Sequence, residues 1–207
     1  MSDSPFLRLP AELRELIYNH VLVFTISHKL RRLFSRGHLS TYLLDASPYS
    51  FPVSLLQTCR LIHSEATPIL YTRNTFTAHP ELLTSLPCLL APERPIRSPR
   101  VTRLIQRWYI GVRLDIDPPY SRDAVSRAFT GVKSLVIEPY QPMFDPVEPR
   151  GALRLFEGVR GVRRAKVLMT FGGDGWGKYA EWLEDAIRAD VDAEVEEYPE
   201  GSDVEED

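Results

Sequence analysis

The chain has 207 residues, 43% of them hydrophobic and 26% charged, with a formal net charge of -3 and two cysteines. That is an ordinary globular composition with length for one sizeable core or two small ones. No apolar run approaches the roughly 18 to 20 residues of a membrane span, since Val21-Leu22-Val23-Phe24 ends at Thr25; Cys59 and Cys88 lack a paired spacing and no secretory leader precedes Phe6, so a disulfide framework is excluded and a reducing compartment, cytoplasmic or nuclear, is expected.

Pro10 opens the first predicted helix at a position where a missing amide donor costs nothing, and Glu12 suits the positive end of the helix dipole. Leu9, Leu13, Leu16, Ile17 and His20 or Val21 share one face at helical spacing, and that face is expected to be covered. From Phe24 to Val53 the sequence is basic, polar and aromatic without a sustained period, which reads as an insertion. Ser54 can cap a second helix with the stripe Leu55, Leu56, Cys59, Ile62 and Ala66, and Thr67-Pro68 can restart a short third one through Tyr71. Asn74-Thr75-Phe76-Thr77 turns into an extended piece, and the spacing of Leu82, Leu83, Leu86, Leu89 and Leu90 predicts another helix.

The Pro/Arg segment from Pro92 to Pro99 reads as a connector between two parts of the molecule. Beyond it, Trp108, Ile110, Val112, Leu114 and Ile116 alternate with polar or small residues and predict a strand that ends at Asp117-Pro118-Pro119. A helix over 121–129, a strand over 134–138, a helix over 151–156, a strand over 165–171 and a last helix carrying Tyr179, Trp182, Leu183, Ala186 and Ile187 follow. Such alternation favours parallel pairing. Phe129-x-Gly131-Val132-Lys133 recurs 27 residues later as Phe156-x-Gly158-Val159-Arg160, an interval in the leucine-rich-repeat range. Residues 190–207 hold ten acidic side chains and no basic one and predict a disordered acidic tail on a net positive body.

Two blocks carry a resemblance. Leu9-Pro10-x-Glu12-Leu13-Arg14-x-x-Ile17-Tyr18 is the first; the second runs Leu55-Leu56-Gln57-Thr58-Cys59-Arg60-x-Ile62-x-x-Glu65-Ala66-x-Pro68-Ile69-Leu70-Tyr71 and continues to Asn74-Thr75-Phe76. Together they resemble the F-box-like proteins of filamentous fungi, in which a helical module precedes a variable α/β region. The resemblance covers roughly residues 6 to 77. It implies that Leu9, Pro10, Leu13 and Ile17, supported by Leu56 and Cys59, would bind a Skp1-like subunit of a cullin-RING ubiquitin ligase while the second part selects a protein substrate. The chain departs from the family pattern by its insertion and by lacking the tryptophan that commonly follows the Cys-Arg pair.

Few residues suggest chemistry. Gly172-Gly173-Asp174-Gly175-Trp176-Gly177-Lys178 matches half of a phosphate-binding loop, with Lys178 able to meet phosphate charge, but Tyr179 stands where a magnesium-holding hydroxyl belongs. Cys59, His63, Glu65, His79 and Cys88 lack structural-zinc spacing. Arg94, Arg97, Arg100, Arg103 and Arg107 form a basic run that Pro95 and Pro99 keep from a regular helix, and no nucleic-acid reader fold accompanies it. No cofactor or metal is expected.

The sequence therefore predicts an α+β protein with an F-box-like helical module at 5–78 (insertion 24–53), an α/β region with leucine-rich-repeat-like strand-helix units at 79–189, and a disordered acidic tail at 190–207. The expected function is a non-enzymatic protein-interaction adaptor. The alternatives are a self-contained structural or regulatory protein and a nucleotide-binding protein using the loop 172–178.

Overall fold

The computed structural model describes residues 4–24, 53–89, 95–141, 150–169 and 174–199. Residues 25–52 of the expected insertion 24–53, Gly172 and Gly173, and the last eight residues lie outside them. The described chain is a mixture of helix and sheet. It begins with a 3-10 turn at Pro5–Arg8 and helix α1 at Ala11–Leu22, then a second 3-10 turn at Val53–Gln57 and helix α2 at Arg60–Arg73. Strands β1 (Phe76–His79) and β2 (Leu83–Cys88) follow, then a one-turn helix α3 (Pro99–Thr102) and strand β3 (Arg107–Arg113). The remainder alternates as α4 (Arg122–Phe129), β4 (Ser134–Tyr140), α5 (Gly151–Arg154), β5 (Arg164–Val167) and α6 (Asp174–Arg188).

The five strands form one sheet in the order β2-β1-β3-β4-β5. β1, β3, β4 and β5 are parallel to one another, and β2 joins β1 antiparallel at the edge. Trp108 lies beside Leu135 and Ile110 beside Ile137, so the alternation in β3 continues into its neighbour and builds one apolar face. That face packs with Val125 and Phe129 of α4, Leu153 of α5, and Tyr179, Leu183 and Ile187 of α6.

The helix expected from the leucines at 82–90 is corrected to edge strand β2. Cys88 pairs with Thr77 and Leu83 with His79 across an irregular step. His79 Nδ1 accepts from the Glu81 and Leu82 amides at 3.1 and 3.2 Å, fixing the turn between the strands. The leucine spacing is not helical packing: Leu83 and Leu86 hold positive φ, 51° and 53°, a conformation that costs a leucine steric energy and that no helix contains. Pro87, without an amide donor, fits an edge strand.

A second correction concerns the helix expected to start at Ser54 and restart at Thr67-Pro68. Residues 53–57 make only a 3-10 turn, while α2 starts after Cys59, whose Sγ accepts from the Ile62 amide at 3.5 Å, and runs unbroken through Pro68. Ala66, Ile69 and Leu70 on either side of Pro68 are buried, so tertiary packing carries the helix across the missing hydrogen bond.

The two Phe-x-Gly-Val copies share one backbone hydrogen bond but differ in the conformation of their glycines. The Val132 amide donates to Phe129 O at 3.3 Å, the Val159 amide donates to Phe156 O at 3.0 Å, and the phenyl rings stack at 6.1 Å. Their glycines serve different ends. Gly131 has φ +78°, whereas a Cβ on Gly158 would come within 2.6 Å of Ser126 Oγ, so one glycine is needed for conformation and the other for close approach to α4.

The disordered tail expected from residue 190 is corrected as far as Pro199. Tyr198 is buried, with its ring 5.1 Å from Tyr179 and 5.3 Å from Trp182. Aromatic area removed from water anchors a segment whose other side chains are mostly exposed.

Candidate docking site

α1 and α2 hold each other through a small core of Tyr18, Leu22, Ile62, Ala66, Ile69 and Leu70. At its rim stands a polar staple. Arg14 donates from Nε to Glu65 Oε2 at 2.9 Å and from Nη2 to Glu65 Oε1 at 2.5 Å, and its Nη1 donates to the Leu9 carbonyl at 2.5 Å. Tyr18 donates to Glu65 Oε2 at 3.0 Å. The bidentate bond to Arg14 holds the Glu65 carboxyl below its ordinary range, and Glu65 in turn holds the Arg14 guanidinium above its own. Burial, followed by the bond to Glu65, pushes the Tyr18 phenol up to about 12.

Asn74 closes the other end. Its amide nitrogen donates to Leu22 O at 2.7 Å and Leu70 O at 2.8 Å, and its Oδ1 accepts from the Phe24 amide at 2.8 Å. One side chain, 1% exposed, thereby satisfies backbone groups at the C-termini of both helices.

Arg14, Tyr18 and Leu22 recur every four residues and form the buried stripe of α1. The face expected to be covered is the opposite one, and it faces solvent. Leu13 is 46% exposed, Leu16 65% and Ile17 38%; Pro10 is exposed and Leu9 half-buried. At i, i+3 and i+4 these leucines and the isoleucine make one contiguous apolar stripe. Leu56 and Cys59 are half-buried and line an open depression of about 340 Å³ with Gln57, Arg60 and His63. The structure thus brings Leu13 and Ile17 together on one surface and separates their role from that of Cys59, which caps α2.

Arg14, Tyr18, Glu65 and Asn74, which knit this unit, all lie in the two sequence blocks but are not among the residues that the resemblance singles out. The signal available was polar residues recurring on an otherwise apolar helix stripe, with an Asn at a helix end.

A second polar cluster lies at the C-terminal helix. Glu157, 3% exposed, accepts from the Tyr179 hydroxyl at 2.9 Å and from Arg122 Nη2 at 3.4 Å. Burial raises the Glu157 carboxyl above its usual range despite those bonds, and the nearby charge of Glu197 adds to the rise. Burial, with the negative charge of Glu157, pushes the Tyr179 phenol well above its ordinary value. Of the loop 172–178, Asp174 to Lys178 form the first turn of α6 and Lys178 is exposed. Within the sheet, Tyr109 donates to Glu138 Oε2, both residues being almost wholly buried.

Among the described residues no group of three or more His, Cys, Asp and Glu side chains is placed to hold a metal ion, and no helix is long and apolar enough to cross a membrane. Cys59 is half-buried and Cys88 buried, and neither is in a disulfide. No family model, no curated protein and no solved structure matches this chain.

Proposed function

We propose that the chain is a non-enzymatic protein-interaction adaptor of the F-box-like kind. Its α1–α2 unit docks a Skp1-like subunit of a cullin-RING ubiquitin ligase, and its leucine-rich-repeat-like α/β region engages the protein to be delivered. The observation that carries this reading is the exposed stripe Leu13, Leu16 and Ile17 on a helix whose other face is already satisfied by Arg14, Tyr18 and Leu22. An apolar helix face left in water while its own chain packs the opposite side is the form expected of a partner surface.

The test is co-purification of the full chain with a Skp1-type linker protein. Capture by the native chain and its loss in the double variant Leu13→Asp, Ile17→Asp support the adaptor. No capture by the native chain, or capture that ignores the double substitution, sinks it and favours a self-contained structural protein.

A further inference from the structure

The segment 194–199 is built unlike the rest of the body. Glu194, Val195, Glu196, Glu197 and Pro199 are exposed, and Tyr198 alone is buried. Val195, the one aliphatic residue of the segment, is 49% exposed, so this is no core strand. The Tyr198 ring enters an aromatic corner made by Tyr179 and Trp182, whose own rings stack at 5.9 Å. Arg150 completes the corner: its guanidinium carbon lies 5.1 Å from the Tyr179 ring centre and 5.0 Å from that of Tyr198, within cation–π range of both.

Backbone recognition accompanies the ring. Arg160 donates from Nη2 to the Glu194 carbonyl at 3.2 Å, while its Nη1 is held by the carbonyls of Glu157 and Val159 at 2.6 and 2.9 Å. The charge of Glu196 favours Arg160, and Glu197 opposes Glu157, so the electrostatics are attractive at one point and repulsive at another. The inserted ring and the bond to Arg160 are among the contacts that hold a segment whose side chains, Tyr198 apart, lie exposed. A competitor that offers the same ring and an extended backbone presents the cradle with the same chemistry.

We infer that Arg150, Tyr179 and Trp182 form a recognition cradle for an acidic polypeptide segment bearing an aromatic side chain, closed in this chain by its own residues 194–199. The strap occupies the cradle in cis, and a partner segment of the same chemistry takes it when the strap lifts. This deepens the adaptor reading, on which its use in target selection rests, by giving the α/β region a class of ligand. The binding chemistry itself does not involve α1.

The experiment uses the full chain and a fluorescein-labelled peptide with the sequence of Glu194 to Gly201, followed by anisotropy. A tethered strap competes at an effective concentration on the order of millimolar. The native chain is therefore expected to bind the peptide at least about ten-fold more weakly than the Tyr198→Ala chain, in which the cis ligand lacks its ring. Should that substitution unfold the protein, the chain with Glu196→Lys sets a positive side chain against Arg160 from an exposed position, loosens the strap and is expected to bind more tightly than the native chain too. Adding Arg150→Ala to either opened chain, or replacing the peptide's tyrosine by alanine, is expected to abolish binding.

Equal affinity of native and opened chains overturns the proposal, as does a folded opened chain that ignores the peptide or binds the alanine peptide as well. Failure here leaves Skp1 capture intact, and failure of Skp1 capture leaves the peptide result intact, so the two readings fall separately.

Discussion

The α1–α2 unit and the sheet region solve the same folding problem with different materials. The sheet buries a continuous apolar face, with Trp108, Leu135, Ile137, Phe129 and Phe156 almost wholly removed from water. Among the described residues the helical pair has a core of six buried side chains, and Arg14, Glu65, Tyr18 and Asn74 set its geometry. A small unit that spends its best apolar stripe on the surface must find its specificity in polar contacts, because area alone is insufficient. The two regions are joined where Tyr71 and Leu89 touch both cores and the Tyr71 ring stacks on Phe76 at 5.6 Å.

The largest expected effect tests the apolar side of that contrast. Phe129 packs between Trp108 at 6.0 Å and Phe156 at 6.1 Å and is 0% exposed. Phe129→Ala is expected to cost about 3–5 kcal/mol in urea unfolding. A loss below 1 kcal/mol would show that the ring stack is not a centre of the core.

Asn74→Ala tests the polar side. It strands the Leu22 and Leu70 carbonyls and the Phe24 amide, and an expected cost of about 2–4 kcal/mol follows from leaving buried backbone groups unpaired. Hydrogen exchange should quicken in α1 and α2 more than in β3 and β4. Uniform quickening would instead make the two regions one cooperative unit, coupled through Tyr71.

The contrast also explains what could be read in advance. β3 was legible because one buried face imposes a strict period of two on Trp108, Ile110 and Val112, and the helices of 122–188 followed from local caps and stripes such as Ser121 accepting from the Ala124 amide. The polar staple was not legible: Arg14 and Glu65 are 51 residues apart, and no local pattern reports a distant partner. For the same reason Tyr198 read as one residue of an acidic tail, since its partners Arg150 and Tyr179 come from other elements. The leucines from Leu82 to Leu89 misled because their spacing fits a helix equally well, and pairing with β1 together with the positive φ of Leu83 and Leu86 decides against it. On α1 the candidate face was identified and its fate reversed, because periodicity finds a stripe but does not say which of two stripes the chain covers.

A smaller effect separates the regions by pH. Tyr18 in the helical pair and Tyr120 beside the sheet both have phenols raised to about 12, in each case first by burial. A phenol whose folded pKa lies above its unfolded value of 10.0 binds its proton more tightly in the folded state, so its stabilisation is complete below pH 10 and is lost as pH rises toward 12. Tyr18→Phe should remove the part of that alkaline loss felt by α1 and α2 and leave the part due to Tyr120. An unchanged alkaline transition in exchange rates of the α1 amides would contradict the placement of Tyr18 against Glu65.

The smallest expected effect on stability is the most telling for function. Leu13→Asp and Ile17→Asp alter side chains 46% and 38% exposed, and each should change unfolding free energy by about 0.5 kcal/mol or less. Asp at position 13 adds negative charge to the first turns of α1, where the dipole favours it, and this offsets part of its lower helix propensity. Because the buried stripe Arg14, Tyr18 and Leu22 is untouched, a folded double variant isolates the outer face from the inner one. A double variant that loses several kcal/mol would mean that the outer face is covered in solution by the chain itself. The polar staple would then be an addition to an apolar packing, and the contrast between the two regions would disappear.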